Sequence, residues 1–274
     1  MFQQKEEAFL LSISTFEYTK IERSQNLIEE EFLSSISSRF PKGVKVVQIA
    51  DRGYGKSILL KNRLQRKELF IIRGKRDVVI NYEENKKTCR KSLGRLKHSL
   101  GKPSRYRNCF YQGKKEIKVD VVVYREKSFK EPWFLLVPSG KEDILSTERV
   151  VELYRRRMRI EVTFRDFKSH LGMRGLSLKV RKGERLDRLL GALVLTYILL
   201  LILGIGEIGK SLRKRIEIPR SKARHGTRKT LSVLTISLFA ISDTFFLARD
   251  NLINILVECF SRLAGEKVFL LPSF

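Results

Sequence analysis

The chain has 274 residues, 42% of them hydrophobic, which is enough to bury a core and excludes wholesale disorder. Its 56 Lys plus Arg against 30 Asp plus Glu leave a formal charge of +26, and so large an excess repels itself unless a polyanion relieves it. Nucleic acid is therefore the first candidate partner and a merely basic protein the alternative, while three scattered Cys without a CxxC pair and three scattered His argue for a reducing cytoplasm and against a disulfide framework, a zinc ribbon or a histidine-built metal centre.

The opening MFQQKEEAFLL puts acids before a short apolar run and carries no signal-peptide pattern. Residues 24–40 predict an amphipathic helix through Ile28, Phe32, Leu33 and Ile36, stopped by Pro41 and Gly43, with Glu29–Glu31 on a solvated face. VKVVQIA is an apolar, β-branched run of strand length that ends at Asp51, and DRGYGK after it is a turn. KSILLKNRLQRK then reads as helix and ELFIIR as a buried strand, so strand, helix, strand suggests an α/β unit with parallel neighbours. From Asp77 to Pro138 the pattern turns to strands without helices: DVVINY, EIKVDVVVYRE and PWFLLVP, with a strongly basic loop over residues 86–108. This is a β-rich insertion in the α/β framework.

One long helix is predicted from Ser146 or Thr147 to Gly172. Residues 189–206, LLGALVLTYILLLILGIG, are eighteen without a charge, at the threshold for a membrane span but better read as a buried core helix. The tail alternates a basic loop, LRKRIEIPRSKARHGTRK, with amphipathic segments through Phe260.

Chemistry concentrates at two places. Along YRRRMRIEVTFRDFK, a helical step of about 100° puts Tyr154, Arg157, Glu161 and Lys168 on one strip about 60° wide. Leu153, Ile160, Phe164, Phe167 and Leu171 form an apolar stripe beside it, and Arg155, Arg156, Arg159 and Asp166 face outward. Asp51 ends a buried strand, where open α/β sheets place their ligands. Two carboxylates among bases are what a magnesium ion needs when it also holds phosphate. The structural alternatives are an N-cap or Asx-turn for Asp51 and an ion pair with Arg157 or Arg165 for Glu161.

Y-x2-R-x3-E-x6-K, carried by Tyr154, Arg157, Glu161 and Lys168, resembles the signature of the DDE transposases of the insertion-sequence-four family. IADRGYGK resembles that family's segment around its second catalytic aspartate, and Met158 stands where many relatives have tryptophan. The resemblance implies that Asp51 and Glu161 hold divalent metal, Mg2+ or Mn2+. It implies that Tyr154, Arg157 and Lys168, with Arg52 and Arg165 beside them, contact DNA. The implied partner is double-stranded DNA, both transposon terminal inverted repeats and target, with dimerisation on DNA. The implied reaction is cleavage at the transposon end and strand transfer, expected in a bacterial cytoplasm at the nucleoid and not in a membrane.

The family's triad begins with an aspartate on an early strand, and none precedes Asp51 here; the acids upstream are Glu6, Glu7, Glu17, Glu22 and Glu29–Glu31. The expected architecture is therefore α/β, an incomplete ribonuclease-H-like core with a β-rich insertion and a helical C-terminal region. Its expected parts are a partial core over 1–76, the insertion over 77–138, the signature and buried apolar helices over 139–206, and a basic helical region over 207–274. An N-terminally truncated chain of this kind is expected to be inactive alone. The alternative is a non-catalytic DNA-binding remnant or regulator of transposition.

Overall fold

The computed structural model describes residues 24–37, 39–41, 43–172, 183–222 and 228–242. They fall into two compact units, the described residues of 24–162 and those of 163–242.

The first unit is mixed α/β. Helix α1 (Gln25–Ser37) leads to strand β1 (Val47–Ala50), a short 3-10 turn (Arg52–Tyr54), helix α2 (Ser57–Gln65) and strand β2 (Leu69–Arg73). Strands β3 (Val79–Glu84), β4 (Lys87–Ser92), β5 (Ser104–Tyr111), β6 (Lys118–Tyr124) and β7 (Trp133–Pro138) follow, and helix α3 (Thr147–Arg156) closes the series. All seven strands lie in one sheet ordered β1-β2-β7-β6-β5-β3-β4. β1 and β2 are parallel, as a helical crossover requires, and every other neighbouring pair is antiparallel. The strands after β2 thus extend the sheet that β1 and β2 begin.

The unbroken apolar runs reflect burial on both faces. Along β6 and β7, Val119, Val121, Val123, Phe134 and Leu136 point to a core shared with Leu60 of α2. Their neighbours Val122, Tyr124, Leu135 and Val137 point the other way, onto Val150, Val151, Leu153 and Tyr154 of α3. Strand periodicity of two, with helices above and below, makes both sides of the sheet dry at β6 and β7.

Three local readings are corrected. Glu30 is buried rather than solvated, because it pairs with Arg63 at 3.4 Å and Arg66 at 3.0 Å and so ties α1 to α2. The basic loop contains β4, joined to β3 by a tight hairpin in which Asn85 and Lys86 both take positive φ, 53° and 61°. Lysine and arginine on an edge strand mask its pattern and also deter pairing with other chains. The single long helix is two, α3 and α4 (Met158–Ser169). Ser146 caps α3 by accepting from the Arg149 amide at 3.3 Å. At Arg157 the bonding tightens to i→i+3, Arg157 N–H to Tyr154 O at 3.1 Å and Ile160 N–H to Arg157 O at 3.0 Å.

The boundary between units falls inside α4. In the second unit, helices α5 (Gly183–Ile205), α6 (Glu207–Ile216) and α7 (Val233–Ser242) pack together. α5 is long and apolar enough to cross a membrane by length and composition, and its Leu200 and Leu201 join Phe167 and Leu234 in a core. A side chain at Gly204 would collide with Ser237 and Val233 of α7, so glycine sets the approach of these helices. Asp166, read as outward-facing, is buried and accepts from the Tyr197 hydroxyl at 3.2 Å. The apolar stripe holds at Leu153, Phe167 and Leu171, whereas Ile160 and Phe164 are exposed on the segment after the break.

Candidate active site at the end of the sheet

Asp51 follows the last residue of β1 in extended conformation and caps the next turn, its Oδ1 accepting from the Gly53 amide at 2.8 Å. The carboxylate is exposed, so capping leaves it an oxygen for another ligand. Gly53 has a reason to be glycine: a Cβ there would lie 3.1 Å from that same oxygen. The turn is fixed to the sheet by the Tyr111 hydroxyl, which donates to Gly55 O at 2.5 Å. Because β1 and β2 are parallel and Ala50 is in register with Ile72, Asp51 and Arg73 leave the sheet at the same end.

Tyr154 comes to that end from α3. Its ring packs edge-on against Trp133, centroids 4.9 Å apart, and its hydroxyl is buried. Burial holds the phenol above its usual pKa; Arg157 and Arg73 pull it down and Asp51 pushes it up. The hydroxyl therefore sits in the combined field of one carboxylate and two guanidinium groups. Arg157 lies over the Tyr154 ring, 5.7 Å from the centroid, and its Nη2 donates to Glu161 Oε1 at 2.9 Å. The Arg157 side chain is 19% exposed and that of Glu161 54%.

One donor is left over. Arg157 and the Tyr154 hydroxyl are hydrogen-bonded to each other, and neither Arg157 Nε nor the hydroxyl has another partner among the described residues. Arg157 donates to the phenol oxygen, which leaves the hydroxyl proton without an acceptor, and an unmet buried donor costs about 1–3 kcal/mol. A phosphate oxygen suits it, being anionic and able to accept from a guanidinium and a hydroxyl together.

The structure thus brings Asp51, Tyr154 and Arg157 into one neighbourhood, with Glu161 attached through Arg157. Arg52 flanks Asp51 in the exposed turn. Arg165 and Lys168 are exposed on α4 within the second unit, Arg165 lying 3.8 Å from Asp166. Sequence reading missed Arg73, although its place at the end of the strand parallel to β1 was the available signal.

Carboxylate oxygens suit a hard divalent cation, yet the donor set is short. Among the described residues no three or more His, Cys, Asp or Glu side chains are grouped so as to hold a metal. Glu161 in addition directs one oxygen to Arg157. These residues do not form a closed metal site by themselves.

A family model described as a transposase DDE domain matches residues 22–199, well over half of the chain. The match includes Asp51, the whole of α3 and α4, and α5 up to Leu199. No curated protein matches the chain.

Proposed function

The chain belongs to the transposase DDE domain family, whose business is DNA transposition, and on that premise we propose that the end of the sheet at Asp51 is where it engages the DNA strand to be cut. The observation that carries this reading is the buried Tyr154 hydroxyl, held beside Arg157, Arg73 and Asp51 with no acceptor for its proton among the described residues. A phosphodiester supplies the missing acceptor. The Y-x2-R-x3-E-x6-K spacing supports placing the chain in the insertion-sequence-four branch, with a ribonuclease-H-like core. Its substrates in this reading are the terminal inverted repeats of a bacterial element and target DNA, acted on by a dimer at the nucleoid. The match extends into α5, which favours a core helix over a membrane span.

DDE transposases use divalent metals, and Asp51 and Glu161 are the proposed protein ligands for Mg2+ or Mn2+. Magnesium tolerates little departure from octahedral geometry and retains water or substrate oxygens as ligands. With two carboxylates and no third acid grouped with them among the described residues, the chain alone should cleave poorly. A second reading, a non-catalytic DNA-binding protein that regulates transposition, draws on the same shortage and on the Arg157–Glu161 pair. The test is nicking of a labelled duplex carrying the element's own ends, with Mg2+ or Mn2+, by wild type and by Arg157→Ala. End-binding weakened in Arg157→Ala supports the site; equal binding by both proteins removes it. Metal-dependent nicking excludes the regulatory reading, and brisk nicking overturns the claim that the chain is deficient alone.

A further inference from the structure

Tyr111 and Gln112, at the end of β5, fasten the tip of the β5–β6 hairpin to the turn that presents Asp51. The Tyr111 hydroxyl, donating to Gly55 O, belongs to a ring buried in the core on one face of the sheet. Burial, with Asp77 nearby, pushes that hydroxyl up to about 12, so it keeps its proton and donates at neutral pH. One residue on, Gln112 Oε1 accepts from Oγ of Ser57, the first residue of α2, at 2.6 Å. The Gln112 amide donates to Val79 O at 2.8 Å, so β3 holds the same residue. Three elements thus meet at one glutamine.

The tip itself is tightly wound. Gln112 and Gly113 take positive φ, 53° and 72°. A left-handed glutamine is unfavourable and persists only where its surroundings over-determine it. Those surroundings include Gly113 N–H to Phe110 O at 3.2 Å and Lys114 N–H to Tyr111 O at 3.1 Å. On the return side Ile117 is buried in the same core as Tyr111, and its carbonyl accepts from the Tyr111 amide at 3.0 Å. This frame presents Lys114 and Lys115, both exposed and without an ion pair among the described residues. Residues 112–118 hold three lysines against one acid, Glu116. Arg52 is exposed on the turn to which the hairpin is fastened and adds charge of the same sign. A backbone already held in place gives up little freedom on binding, and each phosphate it neutralises releases counterions.

We propose that the tip of the β5–β6 hairpin is a duplex-DNA contact, with Lys114 and Lys115 on the phosphates that flank the strand engaged at Asp51. The proposal rests on the reading of DNA as substrate at that end of the sheet and adds which part of the strand-rich region holds the flank.

The β3–β4 hairpin supplies an internal control. Its Lys86 and Lys87 are exposed too, and its tip follows the opposite end of β3, about 17 Å from Val79 at a rise of about 3.4 Å per residue. The test measures binding of the full chain to a random-sequence duplex across a salt series. Lys114→Ala/Lys115→Ala should lower affinity roughly tenfold at low salt and make the log–log salt slope shallower by about 2, since each phosphate contact contributes about 0.9. Lys86→Ala/Lys87→Ala removes the same charge and should cost less than half as much on that logarithmic scale. Gln112→Gly separates placement from charge: it deletes the bond to Ser57, suits the positive φ and leaves every charge in place. Affinity should fall several-fold in Gln112→Gly, whereas lysines that merely add to the net charge would bind as in wild type. Equal losses in the two lysine pairs, or wild-type affinity in Gln112→Gly, overturn the hairpin contact and leave the Asp51 site standing. The lysine pairs change only surface groups and decide the matter if Gln112→Gly does not fold. Absence of duplex binding by wild type would overturn the DNA reading itself, and the hairpin contact with it.

Discussion

Arg157 has two jobs that a substitution series can separate. It forms an i,i+4 pair with Glu161 and hydrogen-bonds the buried Tyr154 hydroxyl. An exposed helical pair of this kind is worth about 0.3–0.5 kcal/mol, so Glu161→Gln should move the thermal midpoint by less than about 2 °C. If Glu161 is a metal ligand, the same change should abolish Mn2+ binding measured by calorimetry while duplex affinity holds. A midpoint drop of many degrees would make Glu161 a structural residue and remove it from the site. Sequence reading was enough to set Asp51 at a strand end and Glu161 one turn from Arg157, because both are local properties. It failed for Arg73 and Asp166, whose surroundings come from strand pairing and from Tyr197 on a distant helix.

At the scale of elements, Asp120 on β6 shows how a sheet built from apolar runs also holds a charge. A register shift in β5 between Tyr106 and Cys109 goes with positive φ at Asn108, 53°, and the Asn108 amide donates to Asp120 at 2.9 Å. Ser139 Oγ donates to the same carboxylate at 2.8 Å, and buried Arg105 Nε at 2.9 Å. Arg105 in turn reaches Leu145 O at 2.6 Å, just ahead of α3, so one acid fixes the bulge, the end of β7 and the approach to the signature helix. Asp120→Ala leaves the Arg105 charge buried, and removing one member of a buried pair costs about 3–5 kcal/mol. Urea unfolding should show that loss, and a change below about 1 kcal/mol would mean water replaces the carboxylate freely. The strands around Asp120 were legible because burial on two faces demands continuous apolar residues. β4 was not, since its lysines and arginines follow the needs of an edge, and the break at Arg157 was not, since no proline or glycine marks it.

For the whole molecule, charge sets two trends of opposite sign. The ion pairs that are present, such as Arg107 with Glu142 at 2.7 Å and Lys91 with Glu84 at 3.3 Å, involve only some of the bases, and 56 basic residues face 30 acids. The folded chain therefore carries net repulsion that salt screens over a Debye length of about 8–10 Å. Without DNA, the thermal midpoint should rise as NaCl goes from low to moderate concentration. Duplex affinity should move the other way over the same range: neutralising six or so phosphates loses roughly a thousandfold between 50 and 200 mM salt. Screening acts on both, but in one case it removes a repulsion inside the protein and in the other it removes the gain from released counterions. A midpoint that falls with salt would mean that attractive pairs dominate the fold. A flat affinity curve would mean that the excess charge is not what holds DNA, and binding would then have to rest on the few donors around Tyr154 and Arg157.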